Sequence, residues 1–239
     1  MKMKKTMPEI NVLPVYTATL PVLGQEIEYS PFNVQQEKAL ITALESDDSD
    51  DVVRNYEKIL RSCVATEIDW DGLSVVDYIM MVVNIRSKSK GETVNLRKQA
   101  CKKCSNPFDF AVDVSESLVV VNDDKKKEVL QVAPGLSLEI SPLKYRFLYG
   151  LAGVKDEMDL YMHTAAHAVS KVIWNGDIFK PGPDELKAKV LKNLTKGNLE
   201  DLFKAYGRLV TVQLEIKYVC PSCGQEDTQV VKDFLKSLT

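Results

Sequence analysis

The chain has no apolar run long enough to cross a bilayer. Its longest, VVDYIMMVVNI at 75–85, stops short of the roughly 18 residues a span needs, and Asp77 and Asn84 interrupt it. The sequence has no Walker loop, no G-x-G-x-x-G and no G-x-S-x-G, so a phosphate cradle or a nucleophile elbow has no basis. It has only two histidines. Acids are plentiful but form no evident catalytic dyad, and the run SDDSDD at 46–51 reads as a solvated helix start whose charges suit the helix dipole. An enzyme is therefore not expected. Positive charge is not in excess either: 31 Lys and Arg against 34 Asp and Glu give a net charge of −3, which argues against a generally basic nucleic-acid binder. MKMKKTMPEINVLP has lysines but no apolar core, so a secretory signal is not expected and a reducing cytoplasm is. There, paired cysteines suggest metal more than disulfide.

What is present organises into three stretches. Residues 1–24 carry Pro8, Pro14 and Pro21 and read as an extended N-terminal arm. Residues 25–90 read as a helical part. Asn33 with Gln36 three residues on is a capping-box pattern. Val52, Val53, Tyr56, Ile59, Leu60 and Cys63 then share one helical face. A third helix opens at Ser74 with Asp77 as its box and is apolar nearly all round, so it is expected at the buried centre. Residues 91–239 alternate between strand and helix patterns. TVNLRKQA and PFDFAVDVSE flank the first cysteine pair, and LVVVN, EVLQV and LSLEI are further strand candidates. KYRFLYGLAGV and DEMDLYMHTAAHAVSKVIW read as helical, NGD at 175–177 as a hairpin turn, and 184–194 and 198–206 as helices. TVQLEIKYV leads into the second cysteine pair.

Four of the five cysteines fall into two C-x-x-C pairs, Cys101 with Cys104 and Cys220 with Cys223. Strand, C-x-x-C, strand is a zinc knuckle, and Gly224 gives the second turn the φ > 0 freedom it wants. Two knuckles make the tetrahedral S4 set of a closed zinc site, so a structural Zn2+ on Cys101, Cys104, Cys220 and Cys223 is expected. Unligated thiols and a dithiol redox pair are the alternatives. A catalytic zinc is not expected, since four thiolates leave no position for water. Because 116 residues separate Cys104 from Cys220, the expected fold is α+β: a helical N-terminal part and a split zinc-ribbon-like β element, with a mixed α/β insertion at 117–210. Cys63 fits a core position.

His163 and His167 lie four apart on a helix, but HTAAH lacks the Glu of H-E-x-x-H. They read as ordinary helix histidines before metal ligands. Arg86, Lys88, Lys90, Arg97, Lys98, Lys102 and Lys103 gather at 86–103 with Glu92 as the only acid. This is either a positive face for nucleic acid or an acidic protein, or the solvated lysines of an edge strand.

Three blocks carry a family resemblance. EYSPFNVQQEKALITALES (28–46) resembles a motif of the baseplate hub and hub-assembly proteins of T-even-type contractile-tailed bacteriophages, a triplet ending in Pro-Phe before a helix of pattern x-E-K-x-L-x-x-A-x-E-S. Pro31, Phe32, Glu37, Lys38, Leu40, Ala43, Glu45 and Ser46 match, while Ser30 stands where a basic residue is expected. IRSKSKGETVNLRKQACKKC (85–104) and TVQLEIKYVCPSCGQEDTQVVKDFLKSL (211–238) are also similar. The resemblance implies a non-enzymatic structural or assembly protein of the baseplate hub, found in the virion tail and in the host cytoplasm during assembly. Its implied partners are hub, tail-tube or tape-measure proteins, and an oligomer within a symmetric assembly is compatible with it. The alternative function is a zinc-ribbon nucleic-acid-binding factor using the basic stretch.

Overall fold

The computed structural model describes residues 12–46, 48–91, 93–122 and 124–231. The start of the expected arm, 1–11, and the end of the closing segment, 232–239, lie outside them.

The chain opens with a hairpin of β1 (Tyr16–Thr19) and β2 (Glu26–Tyr29). Residues 16–24 are thus not a free arm. Their aromatic and apolar side chains have somewhere to go: Leu20 has no exposed surface and packs with Ile27 and Tyr29 against the helices. Three helices follow, α1 (Val34–Leu44), α2 (Ser49–Cys63) and α3 (Val75–Lys90). The Asn33–Gln36 capping box forms reciprocally at 2.8 Å in both directions. Asp48 caps α2 and Ser74 caps α3. α3 is the central element. Its Tyr78, Met81, Val82 and Ile85 enter one core and Val76, Ile79 and Val83 another, which is why it needs apolar residues on every side.

β3 (Thr93–Ala100) and β4 (Pro107–Asp113) form a separate hairpin. A single helical turn, α4 (Val114–Ser117), leads into β5 (Leu118–Val121). β6 (Glu128–Ala133), β7 (Leu136–Ile140), β8 (Val169–Trp174) and β9 (Asp177–Phe179) make a four-stranded antiparallel sheet. α5 (Glu157–Ala168) lies between β7 and β8, and α6 (Pro183–Lys189) and α7 (Lys196–Tyr206) follow β9. The helices cover one face of the sheet through Ala165, Ala166, Leu186, Leu199 and Leu202. The chain returns along β10 (Thr211–Val219) and turns into β11 (Glu226–Val231).

Some expectations shift. Tyr145–Leu148 and Leu151–Gly153 form two 3-10 turns in place of a helix. Gly150, at φ 79°, breaks the run before an α-helix has the length to propagate. α5 ends at Ala168 because β-branched Val169, Val172 and Ile173 pair in β8. β5, placed by the sequence reading inside the insertion, pairs with β10 from Thr211↔Val121 to Leu214↔Leu118. The Trp174–Asp177 turn has Asn175 at φ 50° and Gly176 at φ 94°, the two positive values of a type I′ hairpin.

Candidate metal centre

Cys101 and Cys104 sit on the turn joining β3 to β4, and Cys220 and Cys223 on the turn joining β10 to β11. The turns have one geometry. The Cys101 N–H donates to the Asn106 carbonyl (3.1 Å) and the Ser105 N–H to the Cys101 carbonyl (2.9 Å). The Cys220 N–H donates to the Gln225 carbonyl (2.8 Å) and the Gly224 N–H to the Cys220 carbonyl (2.9 Å). Ser105 at φ 58° and Gly224 at φ 68° hold the left-handed position that closes each turn. In each pair the first cysteine is buried and the second exposed.

The two turns face each other. Cys101 Sγ is 3.8 Å from Cys223 Sγ, Cys104 Sγ is 3.7 Å from Cys220 Sγ, and all four sulfurs lie within 4.8 Å of one another. A disulfide needs about 2.05 Å. Four sulfurs at a Zn–S bond length of about 2.3 Å would stand about 3.8 Å apart at tetrahedral corners. The donor set therefore fits a tetrahedral, sulfur-preferring ion. The backbone N–H groups of Cys104 and Lys103 hold the Cys101 thiol down to about 6, the latter at 3.4 Å from Cys101 Sγ. Burial pushes Cys220 up, but the N–H groups of Ser222 and Cys223 outweigh it and leave it below the ordinary thiol value. Cys104 receives the Asn106 N–H, yet burial and the neighbouring sulfurs push it up to about 11. Thiolates this close repel, and a cation among the four sulfurs would offset that repulsion.

The hairpins are also held together beside the sulfurs. Phe108 and Phe110 on β4 pack on Tyr218 of β10, with ring centroids 5.3 and 5.6 Å from it and 5.4 Å from each other. Lys102 Nζ meets Asp227 Oδ2 at 2.9 Å and donates to the Thr228 carbonyl at 3.1 Å. The alternation in PFDF shows a strand; that its two rings dock on the second knuckle strand is visible only in three dimensions.

The basic stretch spans the end of α3, β3 and the turn after it. Arg86, Lys88 and Lys90 belong to the last turns of α3, where cations suit the helix C-terminus. Lys90 is 3.5 Å from Glu37, and Lys88 lies over the Tyr16 ring. Arg97 and Lys98 fall in β3, Lys102 is engaged by Asp227, and Lys103 is exposed. The rings of His163 and His167 lie 4.7 Å apart, tilted by 50°, against Phe147, and the His163 Nε2–H donates to the Phe147 carbonyl at 2.9 Å. Burial, with His163 adjacent, pushes His167 down to about 4. Among the described residues the cysteine quartet is the one group of three or more His, Cys, Asp or Glu placed to hold a metal. Cys63 is buried in the helical core, and burial raises its thiol to about 11.

A protein-family model described as T4 bacteriophage base plate protein matches residues 13–238. The chain belongs to this family. It is thus a baseplate protein of a T4-type bacteriophage, a component of the virion tail that meets other tail proteins. No curated protein and no solved structure matches the chain. No helix among the described residues is long and apolar enough to cross a membrane.

Proposed function

We propose that this chain is a non-enzymatic structural or assembly protein of the baseplate hub. In this reading one Zn2+ sits on Cys101, Cys104, Cys220 and Cys223. The sulfur spacing carries the metal reading, since four thiols at 3.7–3.8 Å across the two turns match a closed tetrahedral site. A closed site has no open position for substrate or water, so its work is mechanical. It fastens the hairpin at 93–113 to the strands at 211–231. The hub assignment rests on the likeness of the 28–46, 85–104 and 211–238 blocks to hub and hub-assembly proteins. Hub, tail-tube or tape-measure proteins are the partners it predicts. We keep the proposed division into a helical part at 25–90 and a knuckle-bearing part at 91–239, with the N-terminal hairpin added to the former.

The test is affinity capture of the tagged chain from infected cells, followed by metal analysis and identification of co-purifying proteins. The expected result is one zinc per chain together with central baseplate proteins. Capture with peripheral baseplate proteins alone overturns the hub assignment. Reduced, metal-free and fully folded protein overturns the zinc site. Retention of nucleic acid that weakens steeply with salt would favour the alternative function.

A further inference from the structure

The turn between β1 and β2 repeats the metal knuckles without their cysteines. L-P-V-L-G-Q-E at 20–26 matches C-P-S-C-G-Q-E at 220–226 in its Pro, Gly, Gln and Glu, with leucines at both cysteine positions. The backbone agrees. The Leu20 N–H donates to the Gln25 carbonyl at 2.9 Å and the Gly24 N–H to the Leu20 carbonyl at 2.8 Å, with Gly24 at φ 69°. The strand register is the same in all three hairpins, pairing Thr19 with Glu26, Ala100 with Pro107 and Val219 with Glu226. The first knuckle position is buried each time: Leu20 at 0%, Cys101 at 2% and Cys220 at 1% exposure.

A tight turn of this length alone would not mark a knuckle. The stronger correspondence lies in where its amides point. In the first metal knuckle the Lys103 N–H, two residues past the first cysteine, bonds the Cys101 sulfur at 3.4 Å, and the N–H groups of Cys104, Ser222 and Cys223 act in the same direction by lowering the thiol values of Cys101 and Cys220. In the first hairpin the equivalent N–H groups are those of Val22 and Leu23. They donate to the carboxylate of Asp77, at 2.8 Å to Oδ1 and 3.2 Å to Oδ2. Asp77 is 1% exposed and also accepts from the Ser74 hydroxyl at 2.8 Å. Burial pushes the Asp77 carboxyl above its ordinary value, and the Val22, Leu23 and Ser74 donors on its two oxygens work against that shift by favouring the carboxylate.

We propose that residues 16–29 form a third knuckle, an anion site whose ligand is the Asp77 carboxylate of α3 in place of metal-bound sulfur. Leu20 at the first cysteine position packs into the core while Leu23 at the second stays exposed, so the turn offers no sulfur, and the Asp77 carboxylate takes the place on its amides that sulfur holds in the other two. The N-terminal hairpin is therefore docked independently of metal, while the two cysteine hairpins depend on it. This goes beyond the proposed function, and its Asp77 arm does not need the zinc reading.

The experiment is residue-resolved amide exchange on the full chain as purified, after metal removal by a chelator, and in Asp77→Asn. Removing metal should speed exchange at 103, 104, 222 and 223 by about tenfold or more while Val22 and Leu23 change less than about threefold. Asp77→Asn should speed Val22 and Leu23 by roughly ten- to a hundredfold, the range for losing a charged hydrogen bond, with metal content unchanged. Two results overturn the proposal: exchange at Val22 and Leu23 rising with metal removal as much as at 103 and 104, or remaining at the wild-type rate in Asp77→Asn. If Asp77→Asn does not fold, the chelation arm on the wild-type chain decides. A preparation without metal refutes the zinc site instead, and the Asp77 arm then decides.

Discussion

Replacing Phe110 by alanine tests whether packing prepares the metal site. Phe110 is half-buried and touches two rings, Phe108 at 5.4 Å and Tyr218 at 5.6 Å. Each aromatic pair contributes about 0.5–1.5 kcal/mol beyond burial. Truncating a fully buried Phe costs about 3–5 kcal/mol, and a half-buried one roughly half of that. The docking of β4 on β10 should therefore weaken by about 2 kcal/mol. Four sulfurs on two hairpins bind one ion only when the hairpins are docked, so the apparent affinity falls by the fraction of chains that are docked. The upper limit is about thirtyfold for 2 kcal/mol. Competition with a chromophoric chelator at fixed pH, since thiolates must shed protons to bind, measures it directly. Phe203→Ala, whose ring meets Tyr161 on the helical side of the other core, is the control and should leave affinity unchanged. An affinity for Phe110→Ala within twofold of the parent protein would refute the idea that these rings hold the knuckles in register.

Leu20→Ala should destabilise the fold by about 3–4 kcal/mol, because a wholly buried leucine leaves a cavity, while exposed Val15→Ala should change it by less than about 0.5 kcal/mol. Urea unfolding of both variants checks this, and near-equal midpoints would return residues 16–24 to the status of a free arm. Serine at Cys101 or Cys220 should abolish stoichiometric zinc retention in metal analysis of the purified chain; a full equivalent retained in either variant refutes four-sulfur ligation. The neutral form of His167 is favoured in the fold, its value depressed to about 4 from an ordinary 6.5. The stability this gives is complete above about pH 6.5 and lost as pH falls toward 4. The fall in melting temperature from pH 7.5 to 5 should accordingly be smaller in His167→Leu than in the parent, and equal falls would count against it.

Local chemistry was the readable part of this sequence. The Asn33–Gln36 box, the Ser74 cap, the Asn175–Gly176 turn and the two C-x-x-C turns each involve residues a few positions apart, and each of these turns and caps forms locally. What escaped was set by distant partners. Leu20 looks like one apolar residue in a proline-punctuated segment until α2 and α3 cover it. Taken alone, the spacing of 116 residues between Cys104 and Cys220 would leave a metal to close a very long loop. The pairing of β5 with β10 changes that. With Leu118 already beside Leu214, only about 20 residues of chain separate the two knuckles, and the chain-entropy cost of closure falls from about 5 to about 3 kcal/mol. The third knuckle escaped for the opposite reason: its turn is local, but its anion comes from a helix more than fifty residues away.

The pairing of β5 with β10 also sets an order of events during translation. At about 5–20 residues per second, roughly 6 to 23 s separate emergence of the first thiol pair from the second. Throughout that interval β5 lacks its neighbour and the nascent polypeptide offers an ion only half a coordination shell. The helices at 34–90 can collapse early, but the last fastening waits until residue 223 has left the ribosome. An interrupted product would then carry the first thiol pair without the second and β5 without its β10 neighbour.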